Sequence, residues 1–239
     1  MSNPTAAMLV IGDEILSGRT RDSNMHHLAQ ALTERGISLR EVRVVADDPA
    51  AIVAGVNALR AAYDHVFTSG GIGPTHDDIT ADAVAAAFGV GISHRADAMA
   101  LLAAHYARQG QEFNPARQRM ARIPDGATLI DNPVSIAPGF TVENVHVMAG
   151  VPRIFEAMVA GVLTGITGGA PLLSRTLRVT RGEGEIATDF AAFAAEHPAL
   201  AMGSYPFNQN GNYGTNLVIR GTDAAQLDAA FARLTGLFT

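Results

Sequence analysis

With 239 residues, 48% hydrophobic and 17% charged, the chain has the make-up of one large folded domain, or one domain plus a small appendage, and not of a disordered segment. A net charge of −6 with no dense basic run excludes a nucleic-acid partner, whose binding rests on neutralised phosphates. Zero cysteines exclude disulfides and thiolate metal sites, and the lack of a signal-like start or a membrane-length apolar run makes a cytoplasmic protein with no membrane partner the expectation.

In chain order, Ala6 to Ile11 predicts a short buried strand stopped by Gly12. Asp22 or Ser23 can cap a helix from Asn24 to Arg35, which carries Leu28, Ala31 and Leu32 on one face and stops at Gly36. Leu39 to Val45 is β-rich. Asp47-Asp48-Pro49 then starts a helix with Ile52, Val56 and Leu59, followed by a strand from His65 to Thr68 and a helix from Ala81 to Phe88. Further on, the pattern predicts helices over Ala96 to Gln111 and Pro115 to Arg122, and strands at Thr128 to Ile130 and His146 to Met148 around a Pro/Gly-rich loop, Asn132 to Gly139. A helix from Pro152 to about Val162 closes the first domain. Gly165 to Pro171 reads as a linker, so the domains are expected at 1–167 and 172–239. The second holds strands Leu173 to Thr180, Met202 to Phe207 and Asn216 to Arg220, with helices Glu185 to His197 and Ala224 to Phe238. It reads as a small α+β unit for packing or oligomerisation.

Alternating strands and helices with short connections indicate an α/β fold, an α/β/α sandwich around a mostly parallel sheet. Ligands in such sheets sit outside the carboxyl ends of the strands. Gly12, Asp47 and Gly70 each follow a predicted strand end, so three loops should build one site. The third loop, Ser69-Gly70-Gly71-Ile72-Gly73-Pro74-Thr75-His76-Asp77-Asp78-Ile79-Thr80, is a glycine-rich turn into a helix, which suits an anion. Two aspartates follow at once and would repel that anion unless a divalent cation bridges them. The loop therefore predicts a phosphate or pyrophosphate bound with Mg²⁺ or a similar ion.

Gly12-Asp13-Glu14-Ile15-Leu16-Ser17-Gly18 with Asp22 and Asn24, then Asp47-Asp48, then Gly70 to Thr80, then Asn132-Pro133 with Ala137-Pro138-Gly139, and Gly150 with Pro152, resemble the loops of the molybdopterin-binding (MoaB/Mog-like) superfamily. Gly203-Ser204-Tyr205-Pro206 extends the likeness into the small domain, toward the CinA (competence/damage-inducible) family and the similar domain of FAD synthases. Ala149 departs from the Pro-Gly-x-Pro of the family's late loop. The resemblance implies a three-layer α/β/α domain that binds a pterin or adenine-nucleotide phosphate with Mg²⁺, molybdopterin among the ligands, in a homo-oligomer of two or three chains. It places the chain near molybdenum cofactor biosynthesis. The alternative it implies is a metal-dependent nucleotide pyrophosphatase acting on ADP-ribose or FAD, with water activated by the metal. Neither the amidase domain of longer CinA proteins nor the FAD-forming domain is expected in the chain.

With the resemblance in hand, Asp78, Asp47 and Glu14 are the candidate catalytic residues and Asp77 and Asp78 the candidate metal ligands. Gly12, Asp13, Ser17, Gly18, Ser69, Gly70, Gly71, Gly73, Pro74, Thr75, Pro138 and Gly139 are the candidate ligand contacts. Each has a plainer reading: the glycines as a tight turn, Asp47 as a helix cap, Asp78 as the partner of Thr75 in a capping box, and Arg117, Arg119 and Arg122 as a solvated helix face. A third reading, an interaction protein that merely retains the pocket, fits poorly with five carboxylates on three loops. No Gly-x-Ser-x-Gly elbow supports a serine nucleophile, and the eight histidines form no ligand pattern, His76 alone standing in the site loop.

Overall fold

A computed structural model describes residues 3–209 and 211–238. The chain divides into two compact units, Met1–Gly169 and Ala170–Thr239. The first unit begins with β1 (Thr5–Ile11), a single helical turn α1 (Asp13–Leu16), α2 (Asn24–Glu34), β2 (Ser38–Val45), α3 (Pro49–Ala62), β3 (His65–Ser69) and α4 (Thr80–Phe88). It continues through β4 (Ile92–His94), α5 (Ala96–Arg108), α6 (Pro115–Gln118), β5 (Arg122–Pro124), β6 (Thr128–Ile130), β7 (Gly139–Val142), β8 (Val145–Met148) and α7 (Pro152–Thr164). Six strands form one sheet in the order β2-β1-β3-β8-β7-β6. The first four run parallel and the last two turn back as antiparallel neighbours.

The continuous apolar run of β1 is the signature of a strand covered on both sides. Ala7, Leu9 and Ile11 face a core with Ile52, Val56 and Leu59 of α3, Val84 of α4 and Leu102 of α5. Ala6, Met8 and Val10 point the other way, onto Leu28 and Leu32 of α2 and Phe155, Met158 and Leu163 of α7. The result is the three-layer α/β/α sandwich with a mostly parallel sheet. Asp48 caps α3 by accepting the Ala51 N–H at 2.7 Å, with Pro49 in the first turn.

The region between α4 and β6 departs from expectation. The helix after Ala96 ends at Arg108, and the helix expected over Pro115 to Arg122 covers only Pro115–Gln118 before a 3₁₀ turn at Arg119–Ala121. Arg122 then opens β5, which pairs antiparallel with β4. Strands of three residues are too short to show a period, which is why this small sheet escapes a pattern reading. Likewise Gly139 is the first residue of β7 and not the end of a loop.

The second unit holds β9 (Leu173–Val179), α8 (Glu183–Glu196), β10 (Ala201–Gln209), β11 (Asn212–Gly221) and α9 (Ala224–Phe238). Its sheet is antiparallel with order β10-β11-β9. Leu217 and Ile219 pack with Ile186, Phe190, Leu227 and Leu234 in a core of its own. Among the described residues no helix is long and apolar enough to cross a membrane.

Candidate functional site

The carboxyl ends of β1, β2, β3 and β8 meet at a cleft of about 540 Å³, within the usual range for small-molecule pockets. Nine of the residues singled out in the sequence line it: Gly12, Glu14, Asp47, Gly70, Gly71, Gly73, Pro74, Asp77 and Asp78. Thr20, Met120, Asn132, Ser135, Ala137 and the run Ala149 to Pro152 complete the walls.

The floor is the glycine loop. Gly70 and Gly71 adopt φ of 112° and 69°, a region closed to most side chains. A Cβ on Gly70 would sit 2.2 Å from the Ile11 carbonyl oxygen. The Gly70 N–H donates to the Met148 carbonyl at 3.1 Å. The next three N–H groups, of Gly71, Ile72 and Gly73, have no partner among the described residues. Three consecutive N–H groups without a protein partner thus belong to residues that line the cleft.

The acidic side chains arrive from separate loops. Asp48 takes the capping role beside Pro49, which leaves Asp47 free to accept the Asp13 N–H at 3.0 Å. Burial holds the Asp47 carboxyl above its ordinary range. The Asp13 N–H opposes this, and repulsion from Asp13, Glu14 and Asp77 adds to it. Asp78 accepts from both the N–H and the hydroxyl of Thr75, at 2.7 and 2.6 Å, which fixes one carboxylate oxygen; the pair lies in the loop ahead of α4, whose cap residue is Ile79, so it closes a turn and caps no helix. Asp77 is held below the usual range, first by the neighbouring Thr75 hydroxyl and next by its own N–H. Among the described residues no arginine or histidine lines the cleft. His76 is fully exposed. Arg119 donates to the Asp78 carbonyl at 3.0 Å, Arg122 pairs with Asp82, and Arg117 lies over the Tyr106 ring at 4.3 Å.

The remaining candidates lie outside the cleft walls. Ser17 ends α1 and donates its N–H to the Asp13 carbonyl at 2.8 Å. Gly18 forms an exposed turn at φ 73°. Pro138 closes a small neighbouring cavity. Gly139 is buried in β7, where a Cβ would meet the Val147 carbonyl at 2.4 Å. Ser69 lies beneath the loop and accepts from the Asn24 amide at 2.8 Å, which also donates to the Gly150 carbonyl at 2.8 Å. Gly150 in turn lies against Gly70, its hypothetical Cβ 3.2 Å from the Gly70 Cα. Asn24 thus clamps two strand-end loops together, a role no local spacing reveals. Asn132 similarly shapes its loop, donating to Ser135 and the Ala137 carbonyl and accepting the Val134 and Ser135 N–H groups.

A divalent cation fits this donor set in one particular way. Among the described residues no three carboxylates or imidazoles converge as a ready-made cage. One or two carboxylates completed by ligand phosphate oxygens and water is how Mg²⁺ is ordinarily held.

Comparison with known proteins gives two family matches: "Probable molybdopterin binding domain" over residues 7–171 and "FAD synthase, middle domain" over 171–239. A CinA-like protein of Citrifermentans bemidjiense is 39% identical across 66% of this chain and 40% of its own. A probable FAD synthase of Caenorhabditis elegans is 32% identical across 98% of this chain and 50% of its own. The chain thus spans about half the length of these relatives. The crystal structure of CinA, a protein of unknown function from Thermoplasma acidophilum, matches with a TM-score of 0.63 and 33% identity, over 69% of this chain and 99% of that one.

Proposed function

The chain belongs to the molybdopterin-binding domain family, and from that membership and the chemistry of the cleft we propose that it binds the phosphate or pyrophosphate of a pterin or adenine nucleotide through a divalent cation. One observation carries this: among the described residues the cleft combines three backbone N–H groups without a protein partner with four carboxylates and no cationic side chain. An anion attracted to the first would be repelled by the second. A bound cation, when present, supplies the missing positive charge and polarises the phosphate. Asp77 and Asp78 are the residues to hold it, with Asp47 and Glu14 beside them. Gly71 to Gly73 orient the phosphate, and the apolar wall of Ile72, Ala137, Val151 and Ile154 suits a flat ring.

The raised carboxyl of Asp47 supports a second reading, hydrolysis of a dinucleotide pyrophosphate such as ADP-ribose or FAD. A carboxylate with heightened proton affinity in a cleft is suited to accept a proton from water. The test is calorimetric titration of ADP-ribose and FAD with and without Mg²⁺, Mn²⁺ or Co²⁺, followed by assay of AMP release, in the wild type and Asp78→Ala. Binding that needs the cation and weakens in the variant is expected. Equal affinity without a cation would overturn the reading, and AMP release would decide for hydrolysis.

A further inference from the structure

The loop that carries Asp77 and Asp78 is tied to the rest of the fold at few points. Ile72 and Ile79 pack on the core at its two ends, and the stretch from Pro74 to Asp77 between them is exposed. The hydrogen bonds of Ile72 to Asp78 are internal to the loop, with one exception among the described residues. The Asp78 N–H donates to the Thr75 carbonyl at 3.3 Å, and Thr75 donates to the Asp78 carboxylate as described. The exception is Arg119, whose Nη2 donates to the Asp78 carbonyl oxygen at 3.0 Å across 41 residues of sequence.

Arg119 stands on a firm base. Asn114 accepts the Arg117 N–H at 3.0 Å and starts α6. The turn Arg119–Ala121 that follows ends in buried Ala121, whose carbonyl accepts the Arg95 N–H at 2.9 Å. Arg122 then pairs with Asp82 in the first turn of α4. Met120 reaches the cleft wall, and Arg119 lines the small neighbouring cavity that shares Ile72, Gly73, Asp78 and Met120 with the cleft. Its Nε is buried with no partner among the described residues. A side chain on a solvated helix face would keep that N–H in water, because burying it unpaired costs free energy. Arg119 is held on the loop instead.

We propose that Arg119 is a positioning residue for the cation site, acting through the Asp78 peptide. Its bond fixes the peptide that follows Asp78 while Thr75 fixes one carboxylate oxygen, so this side chain is oriented from both ends. Without Arg119 the exposed stretch is free to move, and a bound cation must also order the loop, which lowers affinity. The inference rests on the reading of Asp77 and Asp78 as cation ligands. A guanidinium acting only as a nearby charge has the opposite effect: like charges repel, so its removal tightens cation binding. The sign of the change separates positioning from bare electrostatics.

The test uses the whole chain with Arg119→Met, which keeps the apolar stem, and Arg119→Lys, which keeps a charged donor. Without ligand, amide hydrogen exchange at Thr75 and Asp78 should quicken severalfold in Arg119→Met and stay unchanged in β1 and β3. Mn²⁺ affinity, followed by electron paramagnetic resonance with ADP-ribose present, should fall about tenfold in Arg119→Met, as loss of one charge-assisted hydrogen bond gives. Arg119→Lys should recover part of it. Loop exchange unchanged in Arg119→Met overturns the inference, and so does Mn²⁺ affinity that holds or rises there. Protection lost throughout β1 and β3 would make Arg119 a residue of the fold alone, which overturns it too. A wild type that binds no Mn²⁺ overturns the functional reading itself, and this inference with it.

Discussion

Replacing Asn24 by Asp tests the clamp beneath the glycine loop with almost no change of shape. The Asn24 side chain is 4% exposed. Its amide nitrogen must face the Gly150 carbonyl, since that oxygen only accepts, so the orientation follows from chemistry. An aspartate there places an oxygen where the nitrogen was, 2.8 Å from another oxygen. An ionised carboxylate in that position is buried without a cation, which costs about 3–5 kcal/mol. Protonated, it can donate once and loses one hydrogen bond of the two, at about 1 kcal/mol. The folded pKa of this carboxyl must therefore rise above the unfolded value of about 3.9. A raised pKa means stability that is present at low pH and lost as pH climbs through the raised value. Urea denaturation at pH 5 and pH 8 should show a loss of about 1 kcal/mol at the lower pH and about 3–5 kcal/mol at the higher one. A loss equal at both, or below about 1 kcal/mol at pH 8, would refute the argument.

Three more outcomes follow from other parts of the fold. His146 is 6% exposed and burial pushes its pKa down to about 4, with the neighbouring His65 adding to the effect. Its stabilising contribution is present above pH 6.5 and lost as pH falls toward 4, roughly 3 kcal/mol in all, so His146→Phe should flatten that part of a stability-against-pH curve. Glu143 holds φ 48° in the turn between β7 and β8; Glu143→Gly should gain about 1 kcal/mol in thermal denaturation by relieving that strain, and a loss would contradict it. Asp47, with its raised carboxyl, is unfavourable when ionised, so Asp47→Asn should stabilise the metal-free protein at pH 7 by less than about 1 kcal/mol, with the gain vanishing as pH drops toward 3.8. The same variant should weaken Mg²⁺ binding in calorimetry, and unchanged affinity would remove Asp47 from the cation's surroundings.

The sandwich and the three converging loops were readable because long strands and helices carry a period, and because glycine after an apolar run marks a turn. Short elements such as β4 and β5 carry no such signal. At the site, adjacent acids could not be told apart by pattern: Asp48 became the cap and Asp47 the cleft residue because only one of them can reach the Ala51 N–H. Asp78, which the spacing also offered as the partner of Thr75 in a capping box, pairs with Thr75 within the loop ahead of α4 and lines the cleft as well. Thr20 and Val151 carry no motif of their own and reach the wall because the topology brings their segments there. Ser17, Gly18 and Gly139 looked alike in the sequence, yet their loops turn them outward or bury them in the sheet.

Among the described residues the cores of the two units share none, one being built on β1 and β3, the other on β11 and its two helices. Such a chain is expected to melt in two steps and not one. Where the two units unfold independently, anything that occupies the cleft stabilises the first, by an amount set by its concentration relative to its dissociation constant. The transition of the second unit then stays where it was and acts as an internal reference in every scan. A library of pterins, nucleotides and metal ions can be screened on that basis, with the separation between the two transitions as the readout and each sample as its own control.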